Sequence, residues 1–263
     1  MYIPKWQLYL PSMLEYKAHI NTYNRSEAFQ IIEDNMPVNS SDLSNSPLWP
    51  IFQIGDSLKF SAQLVHIMLC HEIITDKKHE MWFKVGSKIA RFSIVEFAAI
   101  TGLNCKDFFE VDVPNVSSRS ELNITSLNFD ILADIMGKES DLKKKIRWAN
   151  VLLVDSVLLP RRRNSEIDAT IYALSSNMDS FSKYPWGRAC YNEFIASLMQ
   201  FNRSHHDIVS DRFGYNVNGY PLAFQVSVVN IIIFTFCVYV VCLCFVIFIS
   251  RCGSWKLSFT SLI

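Results

Sequence analysis

The sequence predicts a mainly α-helical domain of the α+β class with one small β-hairpin, followed by one long apolar C-terminal helix. Three observations predict it. Apolar residues recur at helical spacing in four separate windows between residues 60 and 199. A strand–turn–strand pattern occupies 81–92. From Phe213 to Ser250 there is no Asp, Glu, Lys or Arg. The 263 residues, half of them apolar, suffice for a packed core, and only eight Gly and nine Pro exclude Gly/Pro-rich low-complexity designs. Twenty-five basic residues balance 25 acidic ones, which argues against a dedicated nucleic-acid arm.

Along the chain, Ser26 stands where an N-cap would open a short helix through Ile32, and Asn35 to Pro50, rich in Ser, Asn and Pro, reads as a loop. Phe60, Leu64, Val65, Met68 and Leu69 share one helical face, so a core-facing helix is expected over 58–74. Gly86-Ser87 then forms a two-residue hairpin turn. Counting outward sets Val85 against Lys88, Phe83 against Ala90 and Met81 against Phe92, an almost wholly apolar face. The opposite face sets Trp82 across from Arg91, the arrangement of a cation–π pair.

The next helix, Ile94 to Thr101, carries a full set of boundary signals. Ser93 with Glu96 makes a capping box, and Phe92 with Phe97 makes a hydrophobic staple. Gly102 sits where a left-handed C-cap residue belongs. A helix over 127–136 is ended by Gly137. A buried central helix over 142–159 is stopped by Pro160. Tyr191, Phe194, Ile195, Leu198 and Met199 mark a last amphipathic helix. No repeat of fixed period is visible.

Val226 to Ile249 reads VSVVNIIIFTFCVYVVCLCFVIFI, 24 residues, enough to cross a ~30 Å hydrocarbon core as a helix. The expected organisation is therefore a folded domain over 1–225, a transmembrane segment over 226–249 and a short tail over 250–263. The folded part carries 23 basic and 25 acidic residues. Met1 to Leu10 has no continuous apolar core of a signal peptide, so reduced cysteines are expected.

Chemistry-bearing motifs are sparse. The seven cysteines never form C-x-x-C, and no glycine-rich nucleotide loop occurs. His66 and His71 are five apart, off the i, i+4 spacing of a helical zinc pair, and His205-His206-Asp207 lies in a polar stretch. Cys70 and Cys105 fall in apolar or helix-terminal surroundings, the usual place of inert thiols. The basic runs Lys143-Lys144-Lys145-x-Arg147 and Arg161-Arg162-Arg163 read as solvated helix ends, with phosphate binding or an import signal as the rival. No catalytic, cofactor-binding or metal-binding residue is singled out, and no cofactor is expected.

The string EMWFKVGSKIARFSIVEFAAITGLNC from Glu80 to Cys105 resembles a plant family catalogued as domain of unknown function nineteen-eighty-five. Leu64-Val65-His66 with Leu69, Tyr184-Pro185-Trp186-Gly187-Arg188 and Gly219-Tyr220-Pro221-Leu222-Ala223-Phe224-Gln225 resemble its other motifs, and the likeness spans roughly 10–225. Ser46-Pro47-Leu48-Trp49 departs from the family's Ser-x-Phe-Gly. The resemblance implies a gene derived from a Mutator-like transposon. Many relatives carry a ubiquitin-like-protein-specific cysteine protease further downstream; no His-Trp is present here. After Gln225 the family pattern stops. Gln225-Val226-Ser227 corresponds to codons that also spell an exon end and intron start, so 226–249 reads alternatively as translated intron.

The function expected is that of a non-enzymatic accessory or interaction domain with a protein partner of unknown identity, lacking the protease. The alternative is a tail-anchored single-pass membrane protein through 226–249. The location is a membrane if that segment spans one, and otherwise nuclear or cytoplasmic.

Overall fold

A computed structural model describes residues 8, 17–36, 41–55, 57–86, 88–108, 111–204 and 212–231. The chain divides into two compact units, 1–227 and 228–263. The first holds β1 (Lys17–Asn21), α1 (Glu27–Asn35), α2 (Ser41–Ser44), α3 (Trp49–Ile54) and α4 (Ala62–Cys70). The hairpin β2 (Met81–Val85) and β3 (Lys88–Phe92) follows, then α5 (Ile94–Thr101), α6 (Ser118–Leu122) and α7 (Phe129–Lys138). Next come α8 (Leu142–Leu153), a π-helical turn (Val154–Leu158), α9 (Ala169–Ser175), α10 (Met178–Lys183), α11 (Trp186–Ser204) and β4 (Arg212–Asn216). A helical segment, 221–231, starts in the first unit. Mainly helical with a small sheet content is therefore correct.

The core is organised about α8. Every residue from Trp148 to Leu158 is buried, and α1, α7 and α9 pack against this helix. The hairpin has the expected register, Val85 opposite Lys88, Phe83 opposite Ala90 and Met81 opposite Phe92. Its inner face, Met81, Phe83, Ala90 and Phe92, is buried. Phe92 and Phe97 both lie against Tyr191 of α11, at centroid distances of 6.0 and 5.5 Å, so the staple closes through a third ring. The outer face differs from expectation. Trp82 does oppose Arg91. The Arg91 guanidinium, however, donates to Glu96 at 2.8 Å, while Trp82 Nε1 donates to Glu80 at 3.1 Å. A carboxylate on each side outcompetes the ring face.

Several boundaries shift for local reasons. Helix α1 begins after Ser26, but Ser26 itself has φ −65°, already helical, and its hydroxyl makes no capping bond. The stretch read as a loop contains α2 and the first two residues of α3, the latter started by Pro50 in its first turn. Helix α4 is shorter than 58–74 because Ser61, extended at φ −106°, accepts from Leu64 N and fixes its start. Gly137 keeps a right-handed conformation inside α7, which runs on to Lys138. Strand β1 pairs in parallel with β4, Ile20 beside Tyr215, although the two are about 195 positions apart.

The predicted transmembrane helix is corrected. Among the described residues no helix is long and apolar enough to cross a membrane. The described helix starts at 221, ahead of the predicted span, and runs through its first residues. Pro221, Ala223, Phe224 and Ser227 are buried. Gln225 ties the helix to the start of α4, accepting from Ser61 N at 2.7 Å and donating to Lys59 O at 2.9 Å. Up to Ser227 this helix has one buried face, tied down through Gln225. Residues 232–263 lie outside the described residues.

Both ends of α5 give a testable consequence. Ser93 Oγ accepts from Val95 N at 3.2 Å, and Glu96 accepts from Ser93 N at 2.8 Å. Gly102 has φ 66°, and a Cβ there would lie 3.2 Å from Pro50. Ser93→Ala in the full chain is expected to cost about 1 kcal/mol. Gly102→Val costs more, about 2 kcal/mol, because a β-branched residue is strained at positive φ. Thermal unfolding checks both; a Gly102→Val chain as stable as its parent contradicts the C-cap.

Candidate functional site

Three of the segments that carry the family-like strings, 80–105, 184–188 and 219–225, meet at α11. Gly187, in its first turn, lies so close to the 103–105 segment that a Cβ would overlap Cys105 Sγ and fall 2.9 Å from Asn104 O. Gly187 N donates to Asn104 O at 2.9 Å, Asn104 Nδ2 to Lys183 O at 3.2 Å, and Arg188 pairs with Asp107 at 2.9 Å. One turn further on, Gly219 at φ 71° packs where a Cβ would stand 2.6 Å from Cys190 O. Phe224 then meets Phe92, Phe83 and Phe194 at centroid distances of 5.1, 5.3 and 5.6 Å. These motif residues are joints of the core.

At the other end of the core lies an unusual helix terminus. Pro160 has no N–H to give the carbonyl of Ser156. Leu159 N reaches back five residues to Val154 O at 2.8 Å, which leaves the Asp155 carbonyl without its helical donor as well. The Asn24-Arg25 pair, far upstream, fills these acceptors. Arg25 N donates to Ser156 O at 2.9 Å, Asn24 Nδ2 to Val157 O at 2.6 Å, and Arg25 Nη2 to Asp155 O at 3.2 Å. Arg25 Nη1 also bonds Arg161 O, and Asn24 Nδ2 bonds Gly219 O at 3.2 Å. The C-terminus of the central helix is thus capped by side chains from another part of the chain.

Within this cap Arg25 forms a buried ion pair with Asp155, Nη2 to Oδ2 at 3.0 Å. The guanidinium also lies over the Phe129 ring at 4.7 Å. Burial dominates the electrostatics. It pushes the Asp155 carboxyl up to about 6 against the pull of Arg25 and Arg161, and it lowers Arg25 against the pull of Asp155. Asp155 Oδ1, Ser156 Oγ and Arg25 Nε have no hydrogen-bond partner among the described residues.

Beside this terminus opens a cleft of about 240 Å³ lined by Leu159, Pro160, Arg161, Glu193, Asn218 and Gly219. Arg161 is committed to Asp168 at 2.6 Å. Glu193, exposed on α11, makes no hydrogen bond or ion pair among the described residues. Of the lining residues, sequence reading singled out Pro160 as a helix stop, Gly219 within a motif and Arg161 within a basic run. Glu193 and Asn218 carry no spacing signal, because the cleft is assembled from three separated segments.

The remaining candidates are placed as follows. His66 Nε2 lies 3.7 Å from Cys70 Sγ, whereas His71 Nδ1 turns to Ile67 O at 2.7 Å. Among the described residues no three His, Cys, Asp or Glu gather as a metal site. His205-His206-Asp207 and Cys237, Cys242, Cys244 and Cys252 lie outside the described residues. Burial pushes the Cys70 and Cys105 thiols up to about 11 and Cys190 well above its ordinary value. All three are thus protonated at neutral pH and poor nucleophiles.

The basic runs act as braces. Arg147 holds Glu121 through both nitrogens, donates to Ser175 at 2.9 Å and lies over Trp148 and Tyr172 at 4.6 and 4.7 Å. Arg163 joins Glu27 of α1 to Asp130 of α7.

Fold and site together define a mainly helical module with one hairpin and a small polar cleft beside its central helix. Residues 69–197, just under half of the chain, are similar to the family described as Domain of unknown function (DUF1985), whose model they match. The matched stretch includes β2 to α10 and the first part of α11, and leaves Asn24, Arg25 and the 212–231 region outside it. No curated protein and no solved structure matches the chain.

The Asp155 carboxyl supplies a signed pH prediction. Its folded value, about 6, exceeds the ordinary 3.8, so the folded state binds the proton more tightly between these limits. Its contribution to stability is full below about 4 and is lost as pH rises through about 6, roughly 3 kcal/mol at 1.36 kcal/mol per unit. Glu121, Asp130 and Asp168 are lowered and act in the opposite sense. The stability of the parent relative to Asp155→Asn should therefore increase as pH falls from 7 to 4. Urea midpoints of both chains across that range measure it; a difference independent of pH contradicts the assignment.

Proposed function

We propose that this chain is a non-enzymatic accessory module that holds a protein partner, within a plant protein of transposon origin. The observation that carries the reading is the cleft. At about 240 Å³ it is below the ~300–1,000 Å³ of small-molecule sites, and its size suits one long side chain of a partner. Two further features support it. The family-like motifs are engaged in packing, and the described cysteines have thiols raised by burial rather than activated. The plant and transposon setting rests on the resemblance of the Glu80–Cys105 string. The proposed location is nuclear or cytoplasmic, in keeping with free thiols at Cys70, Cys105 and Cys190.

The test is reconstitution. A partner captured by the full chain is identified, purified and titrated back, with a stoichiometric complex as the expected outcome. Asn218→Trp, which fills the cleft, should weaken that complex at least tenfold, about 1.4 kcal/mol. A chain that forms no such complex and instead turns over a substrate overturns the reading.

A further inference from the structure

We propose that the cleft takes a cationic side chain, lysine or arginine, from the partner protein. This inference rests on the interaction reading above and specifies its chemistry. The first ground is the balance of charge. Two charged side chains line the cleft, Arg161 and Glu193. The Arg161 guanidinium is satisfied by Asp168 at 2.6 Å, and its carbonyl by Arg25 Nη1. Behind that wall Arg25 and Asp155 neutralise one another at 3.0 Å. Glu193 alone has neither a hydrogen bond nor an ion pair among the described residues. The uncommitted charge of the cleft is therefore a carboxylate.

The second ground is the place of the cleft in the fold. Leu159 and Pro160 follow the last turn of the central helix, whose open carbonyls Arg25 and Asn24 already serve, so the charged groups left to decide the occupant are Arg161 and Glu193. An anion entering here would have to draw Arg161 away from Asp168 while facing Glu193. A purely apolar group would find only Leu159 and Pro160 to cover it. A lysine or arginine meets both conditions, laying its methylene stem on Leu159 and Pro160 and its charged head toward Glu193.

The experiment titrates the full chain with blocked tripeptides of the form Gly-X-Gly, where X is lysine, arginine, norleucine or glutamate, read by NMR shifts at Asn218 and Gly219. Lysine and arginine peptides should bind saturably and more weakly at high salt, and the norleucine and glutamate peptides should not bind. Glu193→Gln should weaken cation binding at least tenfold, and Asn218→Asp, which adds a second carboxylate, should strengthen it several-fold. Glu33→Gln, on the exposed side of α1, should leave it unchanged. The inference is overturned if norleucine binds as well as lysine, if Glu193→Gln binds as well as the parent, or if no cationic peptide binds. With the reconstituted partner the two claims separate. A complex indifferent to Glu193→Gln removes the cationic contact and leaves the partner; the absence of any stoichiometric complex removes the partner itself.

Discussion

A proline at the end of a buried helix creates a shortage of hydrogen-bond donors, and much of this structure is arranged around meeting it. Pro160 cannot serve the Ser156 carbonyl, and the π-helical turn at Val154–Leu158 withdraws Leu159 N from Asp155. Each open carbonyl in a dry interior costs about 1–3 kcal/mol. Asn24 and Arg25 satisfy them, and in doing so bring the N-terminal segment across the end of the core. Arg25 carries a charge into that environment and Asp155 answers it, although burial works against both. A backbone deficit is thereby converted into a tertiary clasp.

The clasp and the other half of the core meet at Gly219. Its carbonyl accepts from Asn24, while its Cα presses on Cys190 and Phe194 of α11. From α11 the packing continues through Tyr191 to Phe92 and Phe97 and through Phe194 to Phe224. Glycine at 187 and 219 lets the chain approach this helix more closely than any side chain would permit. Of the two, Gly219 also lines the cleft, so one wall of the cleft is a joint of the core.

What could be read from sequence was local. The hairpin register and both ends of α5 follow from residues within a few positions of one another, Gly86 at the turn, Ser93 with Glu96, and Gly102. Where partners are distant, the reading ran out. β1 and β4 are five residues each and gain meaning only when brought side by side. Arg91 was assigned to Trp82 because the strand register puts them opposite, yet Glu96, beyond the strand, competes better. Ser26 failed as a cap because it already adopts helical angles. The transmembrane reading took apolar composition as its evidence, whereas no described helix is long and apolar enough to cross a membrane, and the helix leading into that segment is held by Gln225 with Phe224 and Ser227 buried. Of the cleft, Glu193 and Asn218 were illegible, since nothing near either residue announces their meeting with Pro160.

The parallel pairing of β1 with β4 has a bearing on how the molecule comes into being. Two strands toward opposite ends of the first unit must find one another, with nearly the whole of that unit as the intervening loop. Contacts of such sequence separation are slow to form and come late relative to helices and hairpins. During synthesis Asn24 and Arg25 emerge long before the carbonyls they serve, and Gly219 emerges after them. The stretch that sequence comparison detects, 69–197, contains the helix whose end needs covering but not the residues that cover it. The matched stretch and the set of residues that complete the end of the central helix therefore have different borders: Asn24 and Arg25 are already synthesised when that helix end emerges, and Gly219 joins them only later.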